Sequence, residues 1–179
     1  SDLLKSNNLE KNLFVFELSS KKTIVLISVK KNLKNYEIEN LGAELYGRIN
    51  YGNNKEYFIN TDSINTSNDN FICYLLHGLK LKSYEFNKYK SKKEKRLITL
   101  SVFGNKNNPS IKNRLKFNAL EEGTFYTRDL VSEPGNVLHP DEYARRLKLL
   151  KNNGLKVNIY DVNKLKKLGM NALLGVGQG

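Results

Sequence analysis

Few side chains in this sequence have the types and spacing that catalysis or metal binding requires. The chain of 179 residues contains one cysteine, Cys73, and two histidines, His77 and His139. Neither histidine has a second one at the spacing of a metal-ligand pair, and a lone cysteine cannot build a cysteine-rich zinc site. We therefore expect Cys73 to be a small core residue of a helix and both histidines to be packed or solvated.

Basic residues are the most concentrated functional signal. The net charge is +12, and the segment 71–118 holds twelve Lys and Arg residues against Glu85 and Glu94. Its densest part supplies the candidate nucleic-acid site, Lys90, Lys92, Lys93 and Arg96. Clustered cations bind phosphates by releasing counterions, which favours DNA as a partner. The whole chain is rich in Lys and Asn, however, so a merely solvated basic surface remains the alternative.

The composition limits the class of protein. One cysteine excludes an intramolecular disulfide. No apolar run approaches the roughly 18 residues of a membrane span, and the N-terminal residues do not resemble a secretory signal. We expect a cytoplasmic protein without a membrane partner.

Hydrophobic periodicity predicts alternating strands and helices in the first two thirds of the chain. Strands are predicted at 13–16, 23–29, 56–60 and 97–103. One helix, from Glu37, places Ile38, Leu41, Leu45 and Ile49 on one face, and a second carries Phe71, Ile72, Leu75 and Leu79 after a cap at Asp69 or Asn70. A long helix opening at Pro109, which could break near Gly123, would bury Ile111, Leu115, Ala119 and Leu120. This alternation favours an α/β fold with a mainly parallel sheet flanked by helices.

The last third follows a helix-strand-helix-strand pattern. Pro140 can open a helix whose first turn carries Asp141 and Glu142, and Gly154 can end it. Strands are predicted at 155–159 and 172–176, and between them a short helix capped by Asp161 and ended by Gly169.

The order of motifs in this last third resembles the start of the catalytic domain of leucyl (cytosol) aminopeptidases. The resemblance lies in Arg128-Asp-Leu-Val-Ser-Glu-Pro-Gly-Asn-Val-Leu-His-Pro140, Gly154-Leu-Lys-Val157 and Leu168-Gly-Met-Asn-Ala-Leu-Leu-Gly-Val-Gly-Gln-Gly179. A weaker likeness at 78–90 and 37–47 is similar to helical segments of the family's N-terminal domain. The resemblance implies a macro-domain-like α/β domain over 1–123, followed by an incomplete α/β aminopeptidase catalytic domain over 124–179.

What the resemblance implies is a metalloprotease. Full-length members are hydrolases that remove N-terminal residues, leucine especially, from peptides, with two manganese or zinc ions activating water, and they assemble as homohexamers. The family's metal-binding and catalytic motifs would lie beyond residue 179, so no catalytic or metal-binding residue is predicted in this chain. We expect the chain alone to be inactive and to bind no metal specifically; the alternative is a non-enzymatic macro-like module that binds nucleic acid.

Two individual residues depart from the family pattern, and one segment elsewhere in the chain only looks like a family motif. His139 stands where the family usually has threonine, a better helix cap, and Asn171 stands where glycine is common. The segment Asn60-Thr61-Asp62 matches the first three residues of a metal-binding motif of the family. The Glu and Arg that complete this motif in the family are absent from the residues that follow it here. We interpret it as a structural loop.

Overall fold

The computed structural model describes residues 13–19, 22–50, 56–91 and 97–177. The chain divides into two compact units, Ser1–Thr127 and Arg128–Gly179. The sequence Gly52-Asn-Asn54 predicts the end of the helix that begins near Glu37, and it lies outside the described residues. Each unit is described by itself below.

The first two strands form an antiparallel hairpin. β1 (Leu13–Ser19) pairs with β2 (Lys22–Ile27), with Leu13 opposite Ile27 and Phe16 opposite Ile24. Two residues separate the strands, which is too short for the crossover that a parallel pair needs. The predicted strands are confirmed, but a mainly parallel arrangement is wrong for this pair.

The parallel part of the fold consists of the other two strands. β3 (Glu56–Asn60) pairs with β4 (Thr99–Phe103), with Glu56 opposite Thr99 and Asn60 opposite Phe103. A 3-10 turn, Thr61–Ser63, and the helix α2 (Phe71–Lys82) lie between them in sequence. The described fold is therefore mixed α/β, with one antiparallel and one parallel pair of strands.

Two helices supply the centre of the first unit. α1 (Asn35–Ile49) buries Ile38, Leu41, Leu45 and Ile49, as its periodicity predicts. α2 buries Phe71, Ile72, Cys73 and Leu75. Asn70 occupies the predicted cap position of α2, but its side chain makes no capping hydrogen bond.

α1 and α2 approach each other at two glycines. A Cβ atom on Gly42 would lie 2.0 Å from the carbonyl oxygen of Leu75, and one on Gly78 would lie 1.9 Å from that of Glu39. Real Cβ atoms do not approach oxygen so closely. The crossing therefore requires glycine at both positions, a contact that periodicity alone does not reveal.

The long helix α3 (Ile111–Ser132) differs from its prediction in start, continuity and buried face. It begins after Ser110, whose hydroxyl accepts a hydrogen bond from the Asn113 N–H at 3.1 Å, rather than at Pro109, and it continues through Gly123. The predicted buried residues Ile111 and Leu115 are 71% and 67% exposed, Leu120 is 48% exposed, and Ala119 is exposed.

Aromatic contacts decide which face of α3 packs. The Phe117 ring lies edge-on to Tyr74 and His77 of α2, at centroid distances of 5.0 and 5.2 Å. Phe117 is only 8% exposed, and burial of its ring removes a large apolar surface from water on this face of the helix. The helix consequently turns Phe117, not Leu115, toward α2.

The second unit consists of short helices. α4 (Pro140–Lys148) opens at Pro140 and leads into a 3-10 helix, Leu149–Asn153, which Gly154 ends in the left-handed conformation at φ +83°. α5 (Val162–Lys167) is capped by Asp161, whose Oδ1 accepts a hydrogen bond from the Lys164 N–H at 2.8 Å. These starts and stops confirm the predictions.

Both predicted strands of the second unit are wrong. Residues 155–159 form no strand, and 172–176 lie in helix α6 (Asn171–Gly177). A strand needs a neighbour to satisfy its backbone groups, and the described part of this unit offers none. Ala and Leu are strong helix formers, and a helix makes its bonds internally, such as Leu174 N–H to Met170 O at 3.2 Å.

Candidate functional site

The structure describes one of the four candidate nucleic-acid residues. Lys90 is exposed in a turn, whereas Lys92, Lys93 and Arg96 lie outside the described residues. Lys88, nearby, places its ammonium 5.4 Å from the centre of the Tyr89 ring. An exposed lysine beside an aromatic ring is compatible with phosphate binding and equally with solvation, so the nucleic-acid site stays a prediction.

His77 is held inside the first unit. Its ring is buried, its Nδ1 lies 3.1 Å from Oε1 of Glu121, and it contacts Phe117. This hydrogen bond joins α2 to α3. The predicted packing role is confirmed.

The positions of Cys73 and His139 also point to structural rather than chemical roles. Cys73 is buried, and burial raises the pKa of its thiol, which keeps it protonated and unreactive. His139 is exposed at the N-cap of α4 without a side-chain capping bond, as expected of a weak cap. In the part of the chain that the structure describes, no group of three or more His, Cys, Asp or Glu side chains could hold a metal ion.

The Asn60-Thr61-Asp62 segment lies at the carboxyl ends of β3 and β4, where open parallel sheets commonly bind ligands. Thr61 is fully buried and its hydroxyl donates to the Phe103 carbonyl at 3.1 Å. Oδ1 of Asp62 accepts the N–H groups of Asn105 and Lys106, both at 2.8 Å.

The loop after β4 is shaped around these two side chains. Gly104 has φ +140°, and a Cβ there would lie 2.3 Å from Oγ1 of Thr61. Asn107 has φ 56° and donates its side-chain N–H to the carbonyls of Thr61 and Ile64, at 3.2 and 3.1 Å. The carboxylate thus occupies the pair of backbone N–H groups that could otherwise receive an anion. The structural interpretation of this segment is confirmed.

The second unit contains an ion-pair network that the sequence reading missed. Glu133, 2% exposed at its side chain, accepts a hydrogen bond from Nη1 of Arg146 at 2.9 Å. Nε of Arg146 donates to Oε1 of Glu142 at 2.8 Å, and Arg145 binds the same carboxylate through Nε and Nη2 at 2.6 and 2.8 Å. These ion pairs could have been predicted from the three- and four-residue spacing of Glu142, Arg145 and Arg146 on one helix.

This network sets the charges around the Ser132-Glu133-Pro134 turn. Hydrogen bonds from Arg145 and Arg146 lower the pKa of Glu142 to about 2. Hydrogen bonds to Glu142 and Glu133 raise the pKa of Arg146. Glu142 and Arg146 are therefore charged at neutral pH, and the hydrogen bonds of Arg146 fix α4 to the turn that precedes it. These side chains can hold the backbone of the turn and of α4 in place, but none of them is a nucleophile.

Comparison with known proteins relates both units to one family. Residues 125–179 match the model of the cytosol aminopeptidase family, catalytic domain. Two proteins named probable cytosol aminopeptidase, from Nitrobacter winogradskyi and Dinoroseobacter shibae, are 32% and 35% identical to this chain, each over 87% of it. The chain is related to the cytosol aminopeptidases. It spans 33% and 30% of the lengths of these two relatives.

Solved structures show the same fold. A bottromycin maturation enzyme, BotP, in complex with Mn has a TM-score of 0.70 at 17% identity, covering 94% of this chain and 37% of its own. A cytosol aminopeptidase from Coxiella burnetii has a TM-score of 0.58 at 21% identity, covering 80% of this chain and 28% of its own. At such identities the likeness to these two structures shows the fold alone.

Among the described residues, no helix combines the length and apolar character that crossing a bilayer demands.

Proposed function

We propose that this chain is part of a metal-dependent aminopeptidase that releases N-terminal amino acids, leucine preferentially, from peptides. The observation that carries the proposal is the match of residues 125–179 to the cytosol aminopeptidase catalytic domain. Relatives more than 30% identical over 87% of the chain support it.

The described residues do not fit a metal centre, since they bring together no cluster of ligating side chains. In our proposal two divalent ions, manganese or zinc, belong to the complete enzyme and bind to other residues. This chain by itself is then inactive.

The role proposed for the second unit is structural support of the catalytic domain. The Ser132-Glu133-Pro134 turn is closed by hydrogen bonds from the N–H groups of Val137 and Leu138 to the Pro134 carbonyl, both at 2.9 Å. Arg146 then ties Glu133 to α4. A rigid turn of this kind can position neighbouring segments without touching substrate.

A leucine chromogenic amide tests the first part of the proposal. The purified chain, with manganese or zinc added, should release no chromophore above the rate of buffer with metal. Metal-dependent turnover by these 179 residues would contradict the assignment of the metal site to other residues.

A chimera tests the second part. The counterpart of residues 125–179 in the Coxiella burnetii aminopeptidase would be replaced by this segment. We expect a folded chimera that hydrolyses the leucine amide with metal, because the segment would form the same part of the catalytic domain. A folded but inactive chimera would contradict the proposal, and the unmodified enzyme is the control.

Three further properties belong to the same proposal. The first unit is macro-domain-like, the complete enzyme is a homohexamer, and it works in the cytoplasm on peptide substrates. The relatives' name, cytosol aminopeptidase, supports the location. Sedimentation of the complete enzyme would test the assembly.

Nucleic-acid binding is the alternative that the basic segment predicts. Affinity of the chain for duplex DNA should then fall steeply as salt rises and vanish when Lys90, Lys92, Lys93 and Arg96 are neutralised together. An affinity for DNA that does not change with salt concentration would exclude this alternative. No contact among the described residues favours this function over the peptidase.

A further inference from the structure

Asn153 and Gly154 form the only Asn-Gly pair in the sequence. The backbone nitrogen that follows an asparagine can attack the carbonyl carbon, Cγ, of the asparagine side chain. In every other pair that begins with asparagine, the side chain of the following residue crowds this nitrogen, whereas glycine has no Cβ atom. The pair therefore has the residue types that favour deamidation, the conversion of a side-chain amide into an acid.

The pair lies at an accessible helix end in the second unit. Asn153 is the last residue of the 3-10 helix Leu149–Asn153, and Gly154 follows it in the left-handed conformation. Both residues are exposed, and a Cβ atom on Gly154 would meet nothing within 4 Å. Water, the reactant that completes deamidation, can therefore reach this amide.

Two backbone hydrogen bonds restrain the pair in the folded chain. The Gly154 N–H donates to the Lys151 carbonyl at 3.0 Å, and the Leu155 N–H donates to the Leu150 carbonyl at 3.3 Å. A nitrogen whose proton is bound in this way is a poor nucleophile, and the turn fixes its position. The reaction therefore requires the turn to open.

The turn can open at a small cost in free energy. Four of the five residues of the 3-10 helix are exposed, and Leu150 is half-buried. Hydrogen bonds of a 3-10 helix have poorer geometry than those of an α-helix. Segments with few buried apolar contacts open locally without unfolding of the whole unit. The 3-10 helix should thus slow deamidation without preventing it.

We propose that Asn153 is a deamidation site whose rate is controlled by opening of the 3-10 turn. The backbone nitrogen of Gly154 gives its proton to solvent and bonds to Cγ of Asn153. The bond from Cγ to the amide nitrogen breaks, and ammonia leaves with a proton from solvent. The resulting succinimide ring adds one water molecule at either of its carbonyl carbons. The products are isoaspartate and aspartate.

Both products would weaken this helix end. Each carries a negative charge where the amide was neutral, and negative charge is unfavourable at the carboxyl end of a helix. Isoaspartate also routes the main chain through the former side chain, which adds one carbon to the backbone. The Gly154 N–H would then no longer reach the Lys151 carbonyl as it does in the unmodified chain.

Incubation of the whole chain in water labelled with heavy oxygen tests the proposal. At mildly alkaline pH, peptide mapping by mass spectrometry should find the label at residue 153 before any other asparagine. Asn152 is the internal control, because it is exposed in the same helix but is followed by Asn153 rather than glycine. A label that appears at Asn152 as fast as at Asn153 would overturn the proposal.

A matched variant and unfolding of the chain test the chemistry and the control by the turn. Asn153→Gln should take up no label on the same timescale, because glutamine would have to form a larger ring. Unfolding in urea should speed labelling of Asn153 in the parent chain about fivefold, the factor expected when one backbone hydrogen bond no longer restrains Gly154. Equal rates in the folded and unfolded chains, or no labelling of the folded chain, would overturn the proposal.

Discussion

In the first unit, α1 and α2 meet through buried apolar side chains and two glycines, whereas α4 in the second unit is held by charged side chains. Among the described residues of the second unit, Leu130 alone is buried. Its large apolar residues, such as Leu155, Leu173 and Val176, are 54%, 53% and 82% exposed. The comparison shows that the same chain stabilises one unit by excluding water and the other by local hydrogen bonds and ion pairs.

The largest expected effect concerns the helix crossing in the first unit. Gly78→Ala should lower the free energy of unfolding by about 3 kcal/mol, because the new methyl group would overlap the Glu39 backbone. Urea unfolding followed by circular dichroism would measure it. A change below about 1 kcal/mol would mean that the helices separate easily and that the core is not tightly packed.

Gly47→Ala is the matched control for this crossing. Gly47 also lies inside α1, but a Cβ there would meet nothing within 4 Å. Its replacement should raise stability by up to about 1 kcal/mol through helix propensity alone. The opposite signs of the two variants would separate packing from propensity.

The face of α3 gives the next prediction. Phe117→Ala should cost about 3 kcal/mol, because it empties the space between Tyr74 and His77. Leu115→Ala, on the predicted but exposed face, should change stability by less than about 0.5 kcal/mol. Thermal unfolding of both variants would measure the difference. A larger loss of stability for Leu115→Ala than for Phe117→Ala would show that α3 packs through the face that periodicity predicts.

The junction between the carboxyl ends of β3 and β4 should contribute less. Asp62→Ala removes the acceptor of two backbone N–H groups at an exposed position, so we expect a loss of about 1 kcal/mol. Exchange of the Asn105 and Lys106 amides should accelerate in the same variant. Unchanged exchange there would show that the loop is held by Gly104 and Asn107 without the carboxylate.

Acid should weaken the second unit, and the effect should be small. The pKa of Glu142 is lowered from 4.5 to about 2 in the folded chain, so the folded state binds fewer protons than the unfolded state. The resulting stabilisation is present above pH 4.5 and is lost as the pH falls to about 2. Glu142→Gln should remove this pH dependence.

Amide exchange of α4 measured across this pH range would test the prediction. The parent chain should exchange faster as the pH falls below 4.5, after correction for intrinsic rates, and the Glu142→Gln chain should not. Equal behaviour of the two chains would show that Arg145 and Arg146 do not hold α4 through Glu142.

Several parts of the fold could be predicted from the sequence because they depend on neighbours along the chain. The face of α1, the capping of α5 by Asp161 and the stop at Gly154 each follow from residues within one or two helical turns. The candidate site was predictable only in part. The motif at 128–140 indicated the family, but the binding of Glu133 by Arg146 depends on side chains that lie 13 residues apart.

Strand partners and the packed faces of helices could not be predicted from neighbours along the chain. The segment 172–176 has an apolar pattern that suits a buried strand, yet it is helical where no described neighbour completes a sheet. Leu115 and Phe117 lie on different faces of α3, and only the positions of Tyr74 and His77 decide between them.

The sequence by itself determined the helices α1 and α2, the caps and stops of the second unit, and the relation to the cytosol aminopeptidases. The tertiary structure alone decided the antiparallel pairing of β1 with β2, the buried face of α3, and the glycine crossing of α1 and α2. The physical reason is that helix periodicity and capping are local, whereas strand partners and contact faces are chosen by groups that are distant in sequence.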